Sequence, residues 1–314
     1  MVDRKITGNN LMKKSLWAAC RLAYSIVDGN LPIDYKTRID YKFGDVEDNS
    51  YQRAGFVGDV YSFSGGIENI NAGLVGISKS GIIISFRGTN GNDTEIGSFL
   101  DWLNNFLAVP VSFSPYGKGS VHMGFFNSVQ SIQDLIIRKT LDLVSEVKKN
   151  NIPPVIYITG HSKGGAMAAI MAKILQKYVQ NRIIVYTFGA PRAGDNEFRK
   201  EYTITHYRYE SFLDIVSHLS LSRQELELIP RMGILYEILS PLLIFPAYAS
   251  VGTGICIYKP REIYGRLPWY TYNDSEEKLN SFCAIEQVIR GGEYEIFYDA
   301  HSFDYYEKPN DIIL

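Results

Sequence analysis

The 314 residues carry 46% hydrophobic and 21% charged side chains, enough apolar material for a sizeable folded core. A formal net charge of −2 leaves no basic footprint of the kind that binds nucleic acid. Three widely separated cysteines (Cys20, Cys256, Cys283) lack metal-ligand spacing, and free buried thiols are the simpler expectation than a disulfide. Residues 12–20 briefly imitate a signal peptide, but Arg21 cuts the apolar run short and no cleavage site follows. The expected location is therefore cytoplasmic, or exported by a non-classical route. Met12, Leu16, Cys20, Ala23 and Val27 instead share one face of an amphipathic helix.

Residues 28–50 are polar and rich in turn signals. Strands are predicted at 72–77 and 82–86, joined as a hairpin around Lys79-Ser80-Gly81. Over 96–107, Phe99, Leu100, Trp102, Leu103, Phe106 and Leu107 recur at three-to-four spacing, which predicts a short amphipathic helix. That helix is either packed permanently on the core or a cover over a site. A long helix follows at 128–149, with Val129, Ile132, Ile136, Leu143 and Val147 as its apolar stripe. Strands at 155–159, 182–187 and 203–209 then alternate with helices. This argues an α/β fold with a mostly parallel central sheet covered on both faces, in one domain over 1–314. Residues 230–251 approach the apolarity of a membrane span, but Glu237, Pro241 and Pro246 interrupt them. They read as a cap or an interfacial helix.

The chemistry centres on Gly160-His161-Ser162-Lys163-Gly164, between the strand at 155–159 and a run of good helix formers from Gly165 to Ala172. Strand, tight turn and helix are the context in which G-x-S-x-G marks a nucleophile elbow. The serine needs a base, and the base needs a carboxylate to orient it. Five histidines compete. His161 is the serine's own neighbour and should point away from its hydroxyl. His122 precedes the elbow, whereas hydrolases of this architecture run serine, acid, histidine. His206 sits within a strand, and His218 follows Asp214 too closely for both to flank one imidazole position. His301, late and loop-like, is the expected base. Asp214, in the apolar frame Phe212-Leu213-Asp214-Ile215-Val216, is the expected acid. Asp195, in a Gly-rich turn where caps are common, is the fallback. The oxyanion donors are expected from the backbone of Lys163 and from Thr89, at the end of the strand at 82–86. The Lys163 side chain is expected to be solvated or ion-paired.

An ordered series of motifs now stands out: Phe86-Arg87-Gly88-Thr89, Asp101-Trp102-Leu103, Val121-His122-Met123-Gly124-Phe125, the elbow, Thr187-Phe188-Gly189-Ala190-Pro191-Arg192 and Asp214-Ile215-Val216. In this series the chain resembles the class 3 lipases, the α/β-hydrolase family of the fungal triacylglycerol lipases. The resemblance implies Ser162, Asp214 and His301 as a triad, Thr89 as side-chain oxyanion donor, and 90–107 as a lid. Lys163 stands where leucine is more usual, and Ser217 where a proline often follows the acid. The insertion at 230–251 is longer than the fungal pattern.

The expected function is a serine carboxylester hydrolase, of lipase or phospholipase type, acting on lipid esters at a lipid–water interface without a cofactor or metal. The alternatives are a non-catalytic membrane- or protein-binding module on the same fold, or an acyltransferase using the same triad.

Overall fold

Near-continuous apolar runs with β-branched residues make strands that are buried on both faces, and such runs organise this chain. The computed structural model describes residues 4–36, 42–43, 46–47, 49–89, 109–219, 248–257, 269–272, 300–301 and 306. The expected lid at 90–107 and residues 230–247 of the apolar insertion lie outside the described residues. The chain forms two compact units, each assembled from separate stretches of sequence. One comprises Met1–Thr89 and Asn127–Thr187, the other Asn90–Phe126 and Phe188–Leu314.

In the first unit a two-residue hairpin, β1 (Lys42–Phe43) and β2 (Val46–Glu47), precedes the main strands. These are β3 (Phe56–Gly65), β4 (Asn71–Ser78) and β5 (Gly81–Phe86). They form an antiparallel meander, with Ser78 facing Gly81 across the β4–β5 turn. Every residue of β4 and β5 is buried. β3 is the outermost strand, half exposed and irregular between Phe56 and Val60. The sequence reading did not foresee β3, because Gly58, Ser62 and Ser64 break its alternation.

After β6 (Pro110–Ser112) and β7 (Ser120–His122), which belong to the second unit, β8 (Ile156–His161) pairs parallel with β5 and puts Gly160 opposite Phe86. β9 (Ile183–Phe188) follows next to β8. Three helices pack on these strands: the N-terminal helix Arg4–Tyr24, the long helix Gln133–Lys149 and the elbow helix Lys163–Leu175. The N-terminal helix ends at Tyr24, so Val27 lies beyond it and is exposed rather than on its buried face. The helix expected over 128–149 is two helices, Met123–Gln130 and Gln133–Lys149, separated at Ser131 and Ile132. His122 explains the early start of the first. Its Nδ1 accepts from the amides of Gly124 at 3.1 Å and Phe125 at 3.4 Å, the groups a helix N-terminus leaves unpaired.

The second unit contains a small antiparallel sheet ordered β12 (Tyr248–Ala249), β10 (Gly194–Asp195), β7, β6. Phe113 is fully buried beside it, edge-on to Phe126 at 5.8 Å and to Phe198 at 5.2 Å. A second group of strands begins with β11 (Thr205–Ser211), which pairs parallel with β13 (Thr253–Ile257). β13 in turn pairs antiparallel with β14 (Trp269–Tyr272). Arg208 and Glu210 point to one side of β11 and form a buried ion pair at 2.8 Å. Arg208 also donates to the carbonyls of Val251 and Gly252, tying β11 to the approach to β13. Among the described residues, no helix is long and apolar enough to cross a membrane.

Candidate active site

β8 runs directly into the elbow, and the turn is paid for in backbone strain. Ser162 has φ +56° and ψ −133°, a conformation that costs a non-glycine residue about 1–3 kcal/mol. The two flanking glycines follow from close approach. A Cβ at Gly160 would strike the Gly164 carbonyl, and one at Gly164 would strike the Phe86 carbonyl. Ser162 stands at the N-cap of the elbow helix, yet its side chain makes no capping hydrogen bond, so the hydroxyl is not spent on the helix.

Thr89 and Lys163 leave the same sheet side by side. Phe86 pairs with Gly160, and each candidate oxyanion donor lies three residues past its member of that pair. The Lys163 side chain departs from expectation. It is half-buried and hydrogen-bonded rather than ion-paired: Nζ donates to Asn71 Oδ1 at 2.7 Å, and Asn71 Nδ2 donates to Ser131 Oγ at 3.2 Å. Burial, and then the neighbouring Arg87 guanidinium, draw the Lys163 ammonium below its ordinary pKa. Arg87 is itself lowered by burial and donates to the carbonyls of Ile26 and Ile70.

In the second unit, β11 ends at Ser211 and the chain turns sharply, the Asp214 amide donating to the Ser211 carbonyl at 3.1 Å. Asp214 is completely buried. Its Oδ1 accepts from the Val216 amide at 3.0 Å. Its Oδ2 lies 2.8 Å from His301 Nδ1 and accepts from the Tyr306 hydroxyl at 2.6 Å. The phenol oxygen in turn accepts from the Ser211 amide at 3.1 Å. Burial, then the charge of Asp214, push the Tyr306 phenol well above its ordinary pKa, so it remains a donor. Gly189, at φ +55°, completes the wall. A Cβ there would lie 2.6 Å from Asp214 Oδ2, 2.8 Å from the Tyr306 hydroxyl and 3.0 Å from His301 Nδ1.

The arrangement joins a carboxylate to an imidazole through Nδ1, and an imidazole held in that way can give or take a proton at Nε2. The other candidates are occupied differently. Asp195 Oδ1 caps the helix Asn196–Glu201 through the Phe198 amide at 2.8 Å, and Oδ2 takes the Ser120 amide at 2.8 Å. His206 is buried, and desolvation followed by the nearby Arg208 holds it well below its ordinary pKa. His161 packs under the N-terminal helix, its Nδ1 3.0 Å from the Tyr24 hydroxyl and its ring edge-on to Trp17. Cys20, on the same helix, contacts Thr159 Oγ1 at 3.2 Å, and burial pushes its thiol up to about 12. Sequence reasoning missed Tyr306, Tyr24 and Asn71. Nothing local marks them, since each acts on a residue distant in sequence. Among the described residues, no cluster of His, Cys, Asp and Glu could hold a metal ion.

The family model for lipase (class 3) matches residues 83–224, which carry Thr89, the elbow and Asp214. The likeness extends to curated relatives. A lipase of Rhizomucor miehei is 31% identical over 151 residues, 46% of this chain and 39% of the relative. Phospholipase A(1) DAD1, chloroplastic, of Arabidopsis thaliana is 29% identical over 140 residues, 40% of this chain and 29% of the relative. The chain thus spans less than half the length of these relatives. Among solved structures, the native Rhizomucor miehei lipase propeptide complex superposes with a TM-score of 0.57 at 20% identity, covering 90% of this chain and 78% of that one. A mutant form of MDLA from Penicillium cyclopium gives 0.63 at 17% identity, covering 98% and 100%. At such identities the likeness establishes the α/β-hydrolase fold of the fungal lipases.

Proposed function

We propose that this protein hydrolyses acyl esters of lipids through an acyl-enzyme on Ser162. The observation that carries the reading is the strained elbow, Ser162 at φ +56° between β8 and its helix, inside a segment matched by the model for lipase (class 3). Ser162 Oγ attacks the ester carbonyl carbon while His301 Nε2 takes the hydroxyl proton. Asp214 holds the imidazole through Nδ1 and stabilises the imidazolium. The oxyanion receives the Lys163 amide and the Thr89 amide and hydroxyl. Collapse of the tetrahedral intermediate breaks the ester C–O bond, and the departing alcohol takes its proton from His301. Water then attacks the acyl-serine with His301 as base, releasing the carboxylic acid and restoring Ser162.

A lipid substrate is supported by the family and by relatives named as lipase and phospholipase A(1). The finer reading, that contact with a lipid–water interface uncovers the site, rests on the apolar spacing of 96–107. The test is fluorophosphonate labelling of wild type and Ser162→Ala, with fatty-acid release from triacylglycerol and phospholipid followed through substrate aggregation. Labelling and release should vanish in Ser162→Ala, and equal signals from both proteins would sink the assignment. A rate unchanged across aggregation would remove interfacial opening and leave the esterase.

A further inference from the structure

The N-terminal helix ends in a buried hydroxyl with two polar neighbours, both belonging to the loops that supply the oxyanion donors. Tyr24 Oη lies 3.0 Å from His161 Nδ1, and it receives the backbone N–H of Gly88. The amide can only donate, so the phenol accepts from Gly88 and keeps its own hydrogen to offer the imidazole in the tautomer protonated at Nε2. Burial pushes the phenol far above its ordinary pKa, which keeps it protonated for that task. Gly88 precedes Thr89, and His161 stands two residues before Lys163.

The packing leaves little slack. A Cβ at Gly88 would overlap the Tyr24 hydroxyl and come within 2.8 Å of the His161 carbonyl. The same helix holds both loops elsewhere as well. Trp17 sits edge-on to His161, Cys20 contacts Thr159 in β8, and Ile26, just past the helix, accepts from Arg87. A tyrosine wanted only for its ring would place its hydroxyl in water. This one crosses 137 residues of sequence to reach its partner.

We propose that Tyr24 is a positioning residue, its hydroxyl clamping the Gly88–Thr89 loop to the His161–Lys163 elbow and so setting the spacing of the two oxyanion donors. The role rests on the hydrolase reading of Ser162 and extends the catalytic apparatus to the N-terminal helix. An oxyanion hole works because its donors are fixed before charge develops, and one misplaced donor costs orders of magnitude in rate. Ground-state binding of a small ester depends little on that spacing. Loss of the clamp is therefore read in kcat and not in KM.

The test is Tyr24→Phe in the full chain, assayed with p-nitrophenyl butyrate below its solubility limit. Active sites are counted by fluorophosphonate titration. The expected result is a kcat per titrated site about 10- to 100-fold lower, with KM within about twofold and slower phosphonylation. A double-mutant cycle with Thr89→Ala separates positioning from folding. If Tyr24 acts through the Thr89 loop, its cost shrinks in the Thr89→Ala background; costs that simply multiply would overturn the role. If Tyr24→Phe does not fold, His161→Leu removes the other partner of that hydrogen bond and is read in the same assays. A wild type that neither labels nor turns over ester overturns the hydrolase reading and the clamp with it. An active wild type with an equally active Tyr24→Phe overturns the clamp alone.

Discussion

Tyr306→Phe removes one oxygen atom and almost no volume, so its effect isolates the hydrogen bonds that atom makes. The phenol donates to the fully buried Asp214 carboxylate at 2.6 Å and accepts from the Ser211 amide at 3.1 Å. A hydrogen bond to a charged group contributes about 1.5–3 kcal/mol, and a buried amide left without an acceptor costs about 1–3 kcal/mol. No cavity term is added, because phenylalanine fills the ring's place. The two losses share one atom and overlap, so the expected destabilisation is about 2–5 kcal/mol. Urea denaturation should show a lower midpoint with an unchanged slope. Under the proposed hydrolase reading, the surviving folded protein should lose about tenfold in kcat, with KM unmoved, because Asp214 keeps His301 but has lost its hydrogen bond from Tyr306. A stability loss below about 0.5 kcal/mol, the range of inert surface changes, would refute the reasoning. So would a kcat equal to wild type in a protein destabilised as expected, since Tyr306 would then be only a core residue.

Asp195→Ala should cost about 1–2 kcal/mol as a lost helix cap while ester turnover stays within about twofold. Asp214→Ala should lower kcat by about 10⁴-fold. Turnover measured beside thermal melts of both variants tests the choice of acid, and a comparable kcat loss in each would overturn it. Lys13 is buried, and desolvation followed by the charge of Lys14 draws it from 10.5 to about 7. Between those values the unfolded chain binds more protons than the folded one, so this residue makes stability rise with pH from about 7 towards 10.5. Lys13→Met should therefore show a flatter rise in urea midpoint between pH 7 and pH 9 than wild type. A parallel rise in both proteins would refute the assignment.

Much of this site is legible in the chain because its signals are local. The apolar runs at 72–77, 82–86 and 182–187 correspond to β4, β5 and β9, since residues buried on both faces of a sheet leave no polar alternation. The elbow is legible for the same reason. Strand, paired glycines and helix formers lie within about twenty residues, and close approach at Gly160 and Gly164 demands glycine whatever the rest of the protein does. Asp214 and His301 were named by order and by elimination. Their 2.8 Å contact spans 87 residues, which no local pattern encodes.

The edge strand β3 was illegible because an outer strand needs only one buried face, and its glycine and serines blur the period. Helix start and break around Met123–Gln130 depended on the His122 side chain taking two backbone amides, a choice made by packing rather than by propensity. Lys163 looked like a surface cation. Only the fold brings Asn71, 92 residues away, within 2.7 Å of its ammonium. By itself, then, the sequence determined the serine elbow and the strands that present it, because backbone sterics and hydrophobic period act between near neighbours. Tertiary structure alone decided what holds those parts in place. Tyr306 on Asp214, Tyr24 on His161 and Asn71 on Lys163 exist only once burial has removed water as the competing partner.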